Sequence, residues 1–179
     1  MKYDVDAWYA IRVTYCRELK LKEYLEKKDI KYFLPMRYEI KIKHGKKIKE
    51  IVPVIHNLIF IYTTRAQLDF IKPKTEEFAG MRYIMDRTIN EPITIPNVQM
   101  RNFIAVSESY DEDLRYLSNE EMGLIKGDKV RITNGVFAGV EGVFVKLNGT
   151  RARRVVVEVA GIAAVATTSI DSSSVEKIF

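Results

Sequence analysis

The 179-residue sequence has one cysteine and two histidines, and this scarcity excludes several classes of protein. Cys16 cannot form an internal disulfide, so the chain is not a disulfide-stabilised scaffold. With His44 and His56 as the only histidines, we expect no metal-ligand cluster. No apolar run is long enough to span a bilayer, and the first residues lack the hydrophobic region of a signal peptide. We therefore expect a cytoplasmic protein that makes no contact with a membrane.

Motifs for catalysis are missing as well. Neither His44, at a hairpin tip, nor His56, in an apolar run, has a nucleophile or carboxylate at a recognisable spacing. The glycines around Gly135 lead into strands and not into a helix, which excludes a phosphate-binding loop and a dinucleotide fingerprint. We expect neither an enzyme nor a cofactor.

Charge is distributed unevenly along a chain whose net charge is +5. Residues 107–121 contain six acidic residues and a single arginine, and the segments on both sides are basic. This pattern predicts two domains, 1–106 and 122–179, joined by an acidic linker at 107–121 with at most a helical turn around Leu114 to Leu117. Both basic domains could contact a polyanion.

Hydrophobic periodicity in the first half predicts helices packed on a mainly antiparallel sheet, an α+β domain. The predicted elements are a strand at 8–13, a helix at 17–28, a hairpin with strands at 38–43 and 48–52, a central strand at 54–62, a short helix at 65–72, a strand at 81–85 and a helix at 98–107. The run from Val54 to Tyr62 is nearly all apolar, which is typical of a strand covered on both faces.

The second half contains a glycine-punctuated hairpin between Gly127 and Val145. Val130 and Ile132 alternate with polar residues as in a half-buried strand. The glycines allow positive φ or close chain approach, and Phe137 can cap a small core. The motif consists of Gly127, Asp128, Val130, Gly135, Phe137, Gly139 and Gly142. With later strands near 155–159, 164–168 and 175–178, about five strands predict a small SH3-like barrel.

This glycine motif resembles the KOW motif of transcription elongation factors and some ribosomal proteins. The first half, with Trp8 to Val13, Arg17-Glu18, Phe33 to Met36 and the Gly45-Lys46 turn, resembles the NusG N-terminal domain. Segments from Leu34 to Lys47, Pro53 to Ile61 and Arg82 to Arg87 are similar to the specialised RfaH and UpxY paralogues. Ile55-His56-Asn57-Leu58 departs from the family, which usually has an aromatic-proline turn there.

The resemblance implies a NusG-type α+β domain followed by an SH3-like KOW barrel. It also implies a transcription elongation and antitermination factor that binds the RNA polymerase clamp and suppresses pausing or premature termination. The UpxY likeness points to specific operons such as capsular polysaccharide loci. Two alternatives stay open: a ribosome-associated RNA-binding protein that uses its KOW domain, and the general NusG factor itself.

Seven residues match the family's apolar polymerase-binding patch. They are Tyr9, Phe33, Pro35, Ile55, Leu58, Phe60 and Tyr83. Because an alternating strand exposes only one face, we expect about half of them to be core. Ile55, Leu58 and Tyr83 are expected to be exposed, and Trp8 to be a core anchor.

Ten basic residues are candidates for contact with non-template DNA or nascent RNA, although several could simply be solvated. They are Arg12, Arg17, Lys20, Lys22, Lys43, Lys46, Lys47, Arg151, Arg153 and Arg154. Lysines and arginines at such positions attract phosphate and carry little sequence information. The resemblance also implies that the KOW domain could bind a ribosomal protein or the Rho terminator.

Overall fold

The computed structural model describes residues 5–76, 80–147, 149 and 151–179. Two compact units, residues 1–97 and 98–179, divide the chain. The strands of the first unit are β1 (Ala7–Arg12), β2 (Tyr32–Phe33), β3 (Met36–Lys43), β4 (Lys46–Pro53), β5 (Leu58–Thr63), β6 (Arg82–Tyr83), β7 (Met85–Asp86), β8 (Glu91–Pro92) and β9 (Thr94–Ile95). Its helices are α1 (Glu18–Lys27) and α2 (Arg65–Ile71), and a 3₁₀ turn follows at Pro73–Thr75.

An antiparallel sheet with strand order β2-β5-β1-β6 organises the first unit, and β9 also pairs with β1. One face of this sheet, with Tyr9, Ile11, Ile59 and Ile61, belongs to the same core as Leu21 and Leu25 of α1 and Leu68 and Ile71 of α2. The spacing of four between Leu21 and Leu25 places both side chains on one stripe of α1. The predicted α+β arrangement is confirmed.

The predicted central strand is four residues too long at its start. β5 begins at Leu58, and residues 54–57 form a turn. Asn57 has a φ of 61°, and its carbonyl oxygen accepts a hydrogen bond from the Val13 amide at 3.1 Å. The apolar side chains of residues 54–57 fit the strand pattern. The left-handed conformation of Asn57 nevertheless prevents a continuous strand from residue 54 into β5. The predicted strand at 81–85 is likewise divided between β6 and β7.

The β3–β4 hairpin forms a two-stranded sheet of its own. Its strands pair from Met36 with Pro53 to Lys43 with Lys46. His44 and Gly45, with φ of 50° and 75°, are the two-residue loop, and positive φ at both positions suits the twist of a tight hairpin. The predicted hairpin is confirmed, and its second strand extends to Pro53.

The second unit is a six-stranded antiparallel sheet preceded by a helix. Its helices are α3 (Asn97–Ser107) and α4 (Asn119–Gly123), with a 3₁₀ turn at Ser172–Ser174. Its strands are β10 (Arg115–Tyr116), β11 (Asp128–Ile132), β12 (Glu141–Lys146), β13 (Arg153–Val159), β14 (Ala163–Ala166) and β15 (Val175–Lys177). The strand order is β10-β14-β13-β12-β11-β15. The all-β region after the N-terminal domain is therefore confirmed.

Residues 107–121, predicted as an acidic linker, contain two regular elements. β10 pairs with β14, so the helical turn predicted around Leu114 to Leu117 is wrong. In this pairing, Arg115 and Tyr116 align with Ala166 and Val165. The edge of β14 supplies hydrogen-bond partners for their backbone groups, and the local sequence pattern gives no sign of these partners. The helix α3 belongs to the second unit, where the amide of Ala160 donates to Gln99 Oε1 at 2.9 Å. The domain boundaries 1–106 and 122–179 stay a prediction.

Helices in the described part of the chain are too short or too polar to cross a membrane.

Candidate functional site

Most of the predicted polymerase-binding residues lie inside the first unit. Tyr9, Phe33, Pro35, Leu58 and Phe60 are buried, while Ile55 and Tyr83 are half-buried. Leu58 is only 4% exposed, so the expectation that it is an exposed contact is wrong. As the first residue of β5, it points to the same face of the sheet as Phe60, where side chains are covered. Trp8 is buried as expected.

Tyr83 is the patch residue with the richest polar surroundings. Its hydroxyl donates to Asp69 Oδ1 at 2.9 Å, and the Arg65 guanidinium lies 4.3 Å from the centre of its ring. Arg65 also forms an ion pair with Asp69 at 2.9 Å. Burial of the phenol, together with its hydrogen bond to Asp69, raises the pKa of Tyr83 well above its ordinary value. Tyr83 therefore stays neutral, and its ring lies beside the Arg65–Asp69 ion pair.

The β3–β4 hairpin has two chemically different faces. Directly paired residues of an antiparallel ladder share a face. One face therefore carries the charged pairs, in which Glu50 binds Lys41 at 3.5 Å and also Lys43. The other face carries exposed apolar side chains together with two lysines: Tyr38, Ile40, Ile42, Ile51, Lys47 and Lys49. Ile40 and Ile42 are 66% and 73% exposed. Sequence reasoning treated this hairpin as basic and missed the apolar face, although the alternation of Tyr38, Ile40 and Ile42 signals it.

The basic candidates differ in how available they are. Arg12, Lys20, Lys46 and Lys47 are exposed, and Arg17 is half-buried before α1. Lys43 is held by Glu50. The Lys22 ammonium donates to Glu26 Oε1 at 2.8 Å, and this hydrogen bond is the first cause of a raised Lys22 pKa. Lys22 and Lys43 would have to give up carboxylate partners before binding phosphate.

Arg154 in the second unit has a structural role. Its Nη1 donates to the carbonyl oxygens of Asp113 and Thr167 at 2.6 and 2.7 Å, which ties the segment before β10 to the end of β14. Its assignment to nucleic-acid contact is therefore weakened. Arg151 and Arg153 are exposed, and the Arg153 guanidinium lies 5.4 Å from the ring of Phe144. These two side chains form the accessible part of the predicted basic turn.

A group of potential metal ligands was missed by the sequence analysis. Cys16, Glu18 and His56 place one donor atom each within 4.8 Å of one another. The expectation of no such cluster rested on the number of Cys and His residues. The carboxylate of Glu18 completes the set, and His56 is brought to it across 38 positions of sequence.

A family model matches the first part of this chain. Residues 6–104 match the family model described as "Transcription termination factor nusG". No curated protein matches the sequence. Among solved structures, one described as "Domain interaction in Thermotoga maritima NusG" has 20% sequence identity and a TM-score of 0.44, over 98% of each chain. The family match covers more than half of the chain and the whole sheet of the first unit. This chain is a member of the NusG family of transcription factors.

Proposed function

We propose that this protein is a transcription elongation and antitermination factor that binds RNA polymerase through its first unit. The observation that carries the proposal is the family match over residues 6–104, which spans the β2-β5-β1-β6 sheet and both of its helices. A factor that binds the closed clamp better than the open one suppresses pausing by that difference in affinity. The activity is one of binding and requires no chemical step.

Because Leu58 is buried, we place the proposed contact at patch residues that are partly accessible to solvent. Ile55 lies in the turn before β5, and Tyr83 lies beside the Arg65–Asp69 ion pair. An aromatic or aliphatic anchor with a polar rim is the usual composition of an interface hot spot. We assign Ile55 and Tyr83 as the anchors. Arg12, Lys20, Lys46 and Lys47 are then the candidates for phosphates of non-template DNA or nascent RNA.

Binding to polymerase tests the proposal directly. The tagged full-length protein should retain purified RNA polymerase, and Ile55→Asp should weaken retention at least tenfold because a charge would be desolvated at the contact. Val136→Asp is the matched control, since Val136 is exposed in a turn of the second unit. Wild-type retention by Ile55→Asp would remove Ile55 from the contact. Co-purification with ribosomes but not with polymerase would favour the RNA-binding alternative.

Specialisation for certain operons, such as capsular polysaccharide loci, is a further part of the proposal. It is supported by the likeness to UpxY-type segments and by the Ile55-to-Leu58 sequence, which stands where the family usually has an aromatic-proline turn. Transcript-mapped immunoprecipitation should find the protein on a few transcription units. Occupancy of most transcribed genes would instead identify a general factor. The proteins in the same immunoprecipitate would show whether the second unit recruits a ribosomal protein or Rho.

A further inference from the structure

Two loops of the first unit meet where Cys16, Glu18 and His56 lie. Cys16 precedes α1, Glu18 is the first residue of α1, and His56 lies in the turn between β4 and β5. The Cys16 thiol, the Glu18 carboxylate and a ring nitrogen of His56 all lie within 4.8 Å of one another. These are three of the donor types that transition metals bind in proteins.

Glu18 is the residue that needs an explanation. It is 1% exposed, and its Oε2 has no hydrogen-bond partner among the described residues. A buried carboxylate oxygen without a partner is costly unless a cation or a donor satisfies it. The other oxygen, Oε1, lies 3.4 Å from His56 Nδ1, which is long for a hydrogen bond between these groups. Two ligands bound to one tetrahedral Zn²⁺ ion would lie about 3.4 Å apart.

Hydrogen bonds between the two loops hold these residues close together. The Asn57 side-chain oxygen accepts a hydrogen bond from the Cys16 amide at 2.7 Å, and the Asn57 carbonyl oxygen accepts one from Val13 at 3.1 Å. Cys16 and Asn57 both have positive φ, at 50° and 61°. Neither is glycine, and such conformations persist where surrounding contacts impose them. The loop before α1 is therefore hydrogen-bonded to the β4–β5 turn. This contact keeps the donor atoms of Cys16, Glu18 and His56 close together.

We propose that Cys16 Sγ, the Glu18 carboxylate and His56 Nδ1 bind one Zn²⁺ ion. A thiolate, an imidazole and a carboxylate together suit Zn²⁺ and disfavour Mg²⁺ and Ca²⁺, which prefer oxygen ligands only. Three protein ligands leave a fourth tetrahedral position toward solvent, since Cys16 is exposed and the His56 side chain is 67% exposed. The ion links the start of α1 to the turn before β5 and neutralises the buried carboxylate.

Zn²⁺ titration of the full chain tests the site. We expect one Zn²⁺ per chain by calorimetry and a raised melting temperature. Co²⁺ substitution should produce a thiolate-to-metal charge-transfer band in the near ultraviolet. Because Cys16 is the sole cysteine, thiol-reagent modification reports on it alone, and Zn²⁺ should slow that modification. Cys16→Ser, Glu18→Gln and His56→Gln should each weaken Zn²⁺ binding at least tenfold.

The other histidine supplies a matched control. His44→Gln changes the same residue type at the exposed tip of the β3–β4 hairpin and should bind Zn²⁺ as the wild type does. Cys16→Ser and His56→Gln alter exposed side chains, so they decide the outcome even if Glu18→Gln unfolds the chain. Unchanged Zn²⁺ affinity in either of these two variants would overturn the site. Absence of the charge-transfer band with bound Co²⁺ would also overturn it.

Discussion

Single residues in the second unit show why its glycine pattern is required. Gly142 on β12 pairs with Val130, and a Cβ added to it would overlap the backbone carbonyl oxygen of Val156 on the neighbouring strand. Gly135 and Gly139 have φ of 82° and 86°, which side chains rarely adopt. Phe137, between them, is buried. The motif is therefore a consequence of close strand approach and of a left-handed turn.

Replacing Gly142 with alanine should lower the free energy of unfolding by roughly 1–3 kcal/mol, because a strand must shift to make room for the methyl group. Gly123→Ala is the control, since its Cβ would meet no atom of the described residues within 4 Å beyond its chain neighbours and the backbone of α4. That variant should be neutral or stabilising by up to about 1 kcal/mol. Chemical denaturation of both variants measures the difference. Equal stability of the two variants would contradict the predicted overlap.

Leu58→Asp should unfold the first unit or lower its free energy of unfolding by at least about 3 kcal/mol, because it buries a charge in the sheet. Ile40→Asp is the comparison, since Ile40 lies on a single-layer hairpin and is exposed. That variant should change stability by less than about 1 kcal/mol. Circular dichroism during urea denaturation distinguishes the two. A folded Leu58→Asp variant of wild-type stability would restore Leu58 as a surface residue.

At the scale of elements, side-chain hydrogen bonds define where α4 begins. The Ser118 hydroxyl accepts a hydrogen bond from the Glu121 amide at 3.2 Å, and Glu121 Oε2 accepts one from the Ser118 amide at 2.9 Å. This is a complete capping box. Glu121 also pairs with Arg115 of β10. The helix thus begins where two backbone donors are satisfied.

Acid should loosen the start of α4. The hydrogen bond from the Ser118 amide is the first cause of a lowered Glu121 pKa, and Arg115 contributes to it. Because the pKa of Glu121 is lowered in the folded state, Glu121 stabilises the cap fully at pH values above the ordinary glutamate pKa of about 4.3. That stability is lost as the pH falls through the lower folded-state pKa. Amide hydrogen-exchange protection at Glu121 should fall over this range.

Two substitutions isolate this effect. Glu121→Gln should remove the pH dependence of protection, because the glutamine side chain does not titrate. Glu120→Gln changes an exposed neighbouring residue and should leave the pH dependence of protection unchanged. Identical pH profiles for the two variants would show that another carboxyl group controls the helix start.

At the scale of the whole molecule, the segment between α3 and β10 is the predicted site of proteolysis. Residues 108–113 are all exposed, and four of them are acidic. Residues 115–123 are held by the β10–β14 pairing and the α4 cap. A glutamate-specific protease should therefore cut first at Glu108 or Glu112 and only later at Glu120 or Glu121. Initial cutting at the later pair would show that β10 does not protect its neighbours.

Much of this architecture was determined by local sequence. The spacing of Leu21 and Leu25 predicts α1, alternation predicts the β3–β4 hairpin, and the glycine motif predicts the β11–β12 hairpin. These signals suffice because helix and strand periodicity depend on near neighbours in the chain. The β-branched valines of β13 likewise favour the extended conformation seen there.

Other features were decided by tertiary structure alone. Leu58 and Ile42 are both aliphatic residues in strands, yet one is covered by its unit and the other lies on a solvent-exposed ribbon. Arg115 and Tyr116 form a strand because they pair with the edge of β14. Glu18 and His56 meet only because β5 pairs with β1 and the preceding turn is bound to the start of α1. Burial and ligand geometry depend on residues distant in sequence, and local periodicity contains no information about those distances.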